Sequence, residues 1–211
     1  MDKAVALPEN YVPDDLVVLA DAIPGLSVKK ASPPLQLRRL ALPALQAMVQ
    51  AARESGIELP ISSAYRSYQY QVGLFERYVR ESGLAQAERF SARAGHSQHQ
   101  LGLAIDFGSI TVEFADTPAG RWMFAHAAEF GFSLSYPEGQ EQETGYMYEP
   151  WHYRYIGRAA CQLQKVFFAD SQQAMLVFLD RYGEAIRQRL ADPFWDGIRT
   201  SQGTLTLGQE Y

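Results

Sequence analysis

One cysteine, Cys161, stands in the whole sequence, so an internal disulfide framework is excluded, and there is no C-x-x-C or Cys/His array to hold a metal. The compartment is therefore not marked by redox chemistry. No apolar run approaches the roughly 18 residues of a transmembrane helix, and the start, MDKAVALPENYVPDDLVVLA, has neither the basic leader nor the long apolar stretch of a signal peptide. These absences point to a cytoplasmic protein, or to a chain whose export signal has been removed. Basic residues are scarce in clusters: Lys29-Lys30 and Arg38-Arg39 are short, and a net charge of -5 argues against a broad nucleic-acid-binding face. No nucleic-acid partner is expected. Internal repeats and low-complexity tracts are absent as well.

What is present is the composition of a folded protein, 47% hydrophobic and 12% aromatic, in 211 residues. That length suits a single domain able to bury a full core without disulfide or metal staples. Residues 1–34 are rich in proline and read as an extended arm laid over a surface, with little regular structure. From Leu35 to Ser55 the apolar positions Leu40, Leu42, Leu45, Met48, Val49 and Ala52 recur three or four apart, which predicts an amphipathic helix closed by Gly56. IELPISSAYRS predicts a short strand and turn. Ser67 is placed to cap a second helix, YQYQVGLFERYVRESG, that ends at Gly83.

A polar loop with His96 and His99 then leads into LGLAIDFGS, whose apolar residues accumulate as in a mostly buried strand. TPAGRWMFAHAAEFG predicts a third helix between a Thr117 cap and a Gly131 stop, and FSLSYP and YMYEPWHYRYIG predict further strands. Beyond Ala159 the pattern is helical through QKVFFADSQQAMLVFLDRYGEAIRQRL, before a tail, GTLTLGQEY. Mixed helices and short strands without regular βαβ alternation indicate an α+β fold with a small antiparallel sheet flanked by helices. The expected organisation is one domain over 1–211: the arm (1–34), a core (35–159), and a helical extension with its tail (160–211).

The sequence has four histidines, and two of them lie in motifs that also contain a carboxylate. The first motif is S-x-H-x-x-G-x-A-x-D, at Ser97, His99, Gly102, Ala104 and Asp106; the second is E-x-W-H-x-R-Y, at Glu149, Trp151, His152, Arg154 and Tyr155. Zinc accepts imidazole nitrogen and carboxylate oxygen, and a catalytic site keeps three protein ligands so that water takes the fourth position. His99, Asp106 and His152 satisfy that count. Glu149 would then be free of the metal and able to take a proton from the water, as a general base in amide hydrolysis must. Singly, each motif also fits an ordinary polar strand end. His126 fits a helix interior or edge, Cys161 a small core residue, and His96 the rim of the cluster.

Three segments in this order and spacing, SSAYRSYQYQ, GHSQHQLGLAIDF and YEPWHYRYIG, resemble the VanY-type D-alanyl-D-alanine carboxypeptidases, zinc peptidases that act on bacterial peptidoglycan. The resemblance runs from LPENYVPDDL to YRYIG. It implies one zinc per chain on His99, Asp106 and His152, with Glu149 as catalytic base and then as proton donor to the leaving amine. Arg66 matches the arginine facing the scissile carbonyl or terminal carboxylate, a role its forked guanidinium suits. A structural salt bridge is the other use for Arg66. Ser97, Gln71 and Trp151 fall at positions that could contact substrate; Trp151 and Tyr155 could equally be core, and Arg154 could support the site or form a surface ion pair.

The implied substrate is a peptidoglycan stem peptide losing its C-terminal D-alanine, which puts the enzyme in the periplasm or at the cell surface. An L,D-carboxypeptidase and a D-Ala-D-Ala dipeptidase are the neighbouring possibilities, with a role in recycling wall fragments as the cytoplasmic one. A non-catalytic zinc module that only binds wall peptide would be expected to lack Glu149 or Arg66, and both are present. Two departures from the family pattern stand out. His96 adds a histidine, an alternative ligand or proton-transfer group, and the helical segment after Ala159 would narrow the cleft or offer a dimer contact.

Overall fold

The computed structural model describes residues 2–190; the tail GTLTLGQEY lies outside them. In chain order the elements are β1 (Leu16–Val18), α1 (Leu19–Ala22), β2 (Gln36–Arg38), α2 (Leu42–Glu54), β3 (Ile61–Ser63), α3 (Tyr68–Ser82) and α4 (Leu84–Phe90). They continue with β4 (Ala104–Phe107), α5 (Pro118–His126), β5 (Phe132–Leu134), α6 (Glu141–Thr144), β6 (His152–Tyr155), α7 (Arg158–Phe167) and α8 (Gln172–Leu190). The fold is α+β. A four-stranded sheet in the order β3-β4-β6-β5 and a two-stranded sheet, β1-β2, are antiparallel throughout.

Local chemistry sets several boundaries where the sequence predicts them. Ser67 Oγ accepts from Tyr70 N at 3.2 Å to start α3, and Thr117 Oγ1 accepts from Gly120 N at 2.9 Å to start α5. Gly131, at φ +84, ends the turn after α5 in a left-handed conformation that glycine adopts without strain. The buried positions of α2 are Leu45, Met48, Val49 and Ala52, so its apolar stripe faces inward as the spacing requires.

The four-stranded sheet divides its two faces by the period-2 geometry of a strand. Ile105 and Phe107 of β4 and Tyr153 of β6 join α2, Ile61 and Phe132 in the main apolar core. The alternate residues, Asp106 and His152, leave the opposite face. All four residues of β4 are buried, which accounts for its near-continuous apolar run with one aspartate inside it.

Three expectations are corrected, while that of the N-terminal arm stands beside them. Among the described residues, the arm of 1–34 holds little regular structure, only the short β1 and α1, fixed where Val17 finds a partner in Leu37 and Leu19 is fully buried. That pairing takes residues 36–38 into a strand, so the helix expected from Leu35 begins at Leu42. Residues 84–90, expected within a loop, form α4. The strand expected across YMYEPWHYRYIG is limited to 152–155, since Pro150 has no N–H to give to a ladder. The C-terminal helical segment breaks between α7 and α8, where Ala169 and Asp170 have φ of 47° and 60°.

Candidate metal centre

Asp106 pairs with His152 in the antiparallel register of β4 and β6, so their side chains leave one face side by side. His99 arrives from the 3-10 turn Gln98–Leu101 that precedes β4. Ser97 Oγ accepts from His99 N at 3.3 Å to open that turn, and Gly102 closes it at φ +68. A Cβ at 102 would stand 2.9 Å from both Arg38 Cγ and Leu16 Cδ2, so close packing as well as backbone conformation favours glycine there. The Nδ1 of His99 faces the Ala64 carbonyl at 2.6 Å, which makes Nδ1 the donor and leaves the lone pair on Nε2.

Asp106 Oδ1 lies 3.3 Å from His99 Nε2 and 3.1 Å from His152 Nδ1. One donor atom from each of the three residues falls within 4.8 Å of the others, and all three residues are buried. Zinc ligands about 2.0–2.2 Å from the ion stand roughly 3.3 Å apart at the tetrahedral angle, close to these separations. Asp106 Oδ1 is buried and has no hydrogen-bond partner, a costly state for an anionic oxygen unless a cation completes it. The residues present fit zinc.

The electrostatics separate the site's two carboxylates. Burial opposes ionisation of Asp106, yet His99, His152 and Arg66 outweigh it and hold its carboxyl well below the usual range. Burial, followed by the Asp106 charge, pushes Glu149 well above that range against the pull of Arg66 and Lys3. Burial and the Arg66 charge lower His99 to about 4, which keeps it neutral and able to ligate at pH 7. Glu149 is 6% exposed, and its Oε2 is 3.5 Å from His152 Nδ1.

Arg66 sits against the ligand cluster. Its Nη2 donates to Asp106 Oδ2 at 2.7 Å and lies 2.8 Å from His99 Nε2, while Nε donates to Ser63 Oγ at 3.1 Å and Nη1 to Gln71 Oε1 at 3.3 Å. Gln71 is fully buried and braces Arg66, with its own Nε2 donating to Ala92 O at 2.7 Å. Ser97 is 4% exposed and serves the turn. Trp151 packs in the main core, and Tyr155 packs beside that core, its ring 5.3 Å from that of Phe132.

His96 is tied through Nδ1 to Asp2 O at 2.9 Å and is not part of the His99, Asp106 and His152 group. His126 pairs with Glu129 at a half-exposed helix end. Among the described residues Arg154 has no ion-pair partner: burial lowers its pKa, and its Nε and Nη1 are buried without hydrogen-bond partners there. Two contributors escaped the motifs. Gln98 holds the free position between Ser97 and His99 and touches His152, and Tyr136 brings its ring within 4.8 Å of the His152 ring. Neither position carries a residue type that marks metal chemistry.

Residues 34–158 match the VanY family, described as D-alanyl-D-alanine carboxypeptidase. YodJ of Bacillus subtilis (strain 168), named as a carboxypeptidase, is 37% identical over 171 residues, which cover 77% of this chain and 61% of YodJ. The chain thus spans about three fifths of that curated relative. The solved structure of LdcB, an LD-carboxypeptidase, is 35% identical with a TM-score of 0.72, over 82% of this chain and 81% of LdcB. A vancomycin-resistance D,D-pentapeptidase VanY solved with Zn(II) is 28% identical with a TM-score of 0.58, over 76% of this chain and 90% of that one. Among the described residues, no helix is long and apolar enough to cross a membrane. The match over residues 34–158, on a fold these relatives share, places the chain in the VanY family of D-alanyl-D-alanine carboxypeptidases.

Proposed function

We propose that this chain is a zinc-dependent D,D-carboxypeptidase that removes the C-terminal D-alanine from peptidoglycan stem peptides. The observation that carries the reading is the buried His99, Asp106 and His152 cluster, with its unpartnered Asp106 oxygen and with Glu149 beside it. One zinc on these three residues would polarise the scissile carbonyl and lower the pKa of water at the fourth position. Glu149 takes the proton of the attacking water and returns it to the departing D-alanine amine. Burial and the Asp106 charge raise the pKa of its carboxyl, which favours return of the proton to the departing amine.

Arg66 has a lone-pair conflict to resolve. His99 Nε2 offers one lone pair, which cannot serve both Arg66 and a metal ligand bond. In the working site Arg66 Nη2 gives up His99 and is offered to the substrate's carboxylate or developing oxyanion, while Ser63 and Gln71 hold Nε and Nη1 in place. Ser97 acts by shaping the ligand turn. Residues 35–159 are the catalytic core, and the arm and C-terminal helices support it. Stem peptides of the wall lie outside the membrane, so the proposed place of action is the periplasm or cell surface.

A second reading, L,D-carboxypeptidase, is favoured by the likeness to LdcB. Matched muropeptides ending in pentapeptide and tetrapeptide, incubated with zinc-loaded and chelated protein and analysed by mass spectrometry, separate the two. Chelator-sensitive loss of one alanine from the pentapeptide supports the D,D reading; loss from the tetrapeptide alone replaces it with L,D. Zinc-loaded protein that shortens neither overturns both.

A further inference from the structure

His152 presents its two ring nitrogens to different partners. Nδ1 faces Asp106 Oδ1 at 3.1 Å, and Nε2 faces the side-chain oxygen of Gln98 at 3.2 Å. We propose that Gln98 is a positioning residue that holds His152 ready to ligate through Nδ1, and that the start of α8 braces Gln98 through Gln172. The proposal rests on the zinc reading of the site.

An amide oxygen only accepts, so its contact puts the imidazole proton on Nε2 and leaves the lone pair on Nδ1, the nitrogen that faces Asp106. Gln98 is itself held from two sides. Ser135 Oγ donates to its oxygen at 2.7 Å, and its Nε2 donates to Gln172 Oε1 at 3.2 Å. Gln98, Ser135 and Gln172 are 5%, 2% and 2% exposed, so bulk water does not compete for these bonds.

The arrangement couples the ligands to each other. The 3-10 turn that carries His99 also carries Gln98, so one short segment supplies one ligand and orients another. It also gives the C-terminal helix a task. Gln172 is the first residue of α8 and lies beyond the family match over residues 34–158. Groups that hydrogen-bond the distal nitrogen of a ligating histidine fix its tautomer and ring angle, and losing one typically costs about 10- to 100-fold in metal affinity.

The test uses the full chain, its Gln98→Ala, Gln98→Glu and Gln172→Ala variants, and two readouts: zinc affinity by competition with a chromophoric chelator, and the His152 tautomer from imidazole nitrogen-15 spectra of metal-free protein. The wild type is expected to bind zinc and to carry its His152 proton on Nε2. Gln98→Ala should bind zinc about 10- to 100-fold more weakly, with the tautomer mixed. Gln98→Glu, which keeps an acceptor on His152 Nε2 but loses the donor to Gln172, should restore the tautomer and bind zinc more tightly than Gln98→Ala, and Gln172→Ala should show a small loss of affinity. Unchanged affinity and tautomer in Gln98→Ala would overturn the role of Gln98, and an unchanged Gln172→Ala would overturn the brace from α8. If Gln98→Ala does not fold, Gln98→Glu decides: a His152 proton kept on Nε2 supports the proposal, and a mixed tautomer overturns it. A wild type that binds no zinc would instead bring down the metal reading itself, a separate and recognisable failure.

Discussion

Replacing Glu149 by glutamine isolates proton transfer from metal binding. The two side chains have nearly the same shape, so the buried site, only 6% exposed at this residue, keeps its packing. Glutamine cannot take the proton. It also removes the second carboxylate from a cluster where burial and the Asp106 charge already disfavour its ionised form. The three proposed ligands are untouched, and Glu149 Oε2 stands 3.5 Å from His152 Nδ1 as a neighbour of the set. A positioned general base contributes about 10²- to 10⁴-fold, or roughly 3–5 kcal/mol of transition-state stabilisation at about 1.36 kcal/mol per tenfold. The expected result is a fall of that size in kcat for D-alanine release from a pentapeptide, with KM and zinc affinity close to wild type. Loss of zinc along with activity would make Glu149 a ligand. A kcat within tenfold of wild type would mean that another group takes the proton.

Two further perturbations probe the scaffold. At Gly120, an added Cβ would meet the Phe114 carbonyl oxygen at 1.9 Å and its carbon at 2.8 Å, both backbone atoms. Gly120→Ala should therefore cost about 1–3 kcal/mol, seen as a lower urea midpoint at constant m-value, and an unchanged midpoint would show that α5 shifts without cost. Cys161 is 4% exposed, and burial pushes its thiol up to about 12, so at pH 8 it is protonated and shielded. A thiol reagent should leave the native protein unlabelled over the time in which it labels the urea-unfolded chain completely; rapid native labelling would place this thiol at the surface.

Local order was readable wherever neighbours in the chain decide it. Ser67 and Thr117 cap the helices their positions predict, and the apolar spacing of α2 selects its buried face. The β1-β2 sheet was not readable, because Leu16–Val18 becomes a strand only by meeting Gln36–Arg38 across an intervening helix and loop. The packing of Gln71 and Trp151 was unreadable for a similar cause. Each sits beside a motif residue in the chain, but burial against Arg66 in one case and the main core in the other decides what it touches.

The sequence by itself determined the chemical inventory: which imidazoles and carboxylates exist, their spacing within two motifs, and hence the family and the proposed ligand set. Those follow from residue identity and order. The tertiary structure decided how the groups face one another. The antiparallel register sets Asp106 beside His152, the turn before β4 swings His99 to the same point, and packing of α8 brings Gln172 onto Gln98. Such contacts join residues as many as 74 positions apart in the chain, and only sheet register and core packing bring them within hydrogen-bond reach.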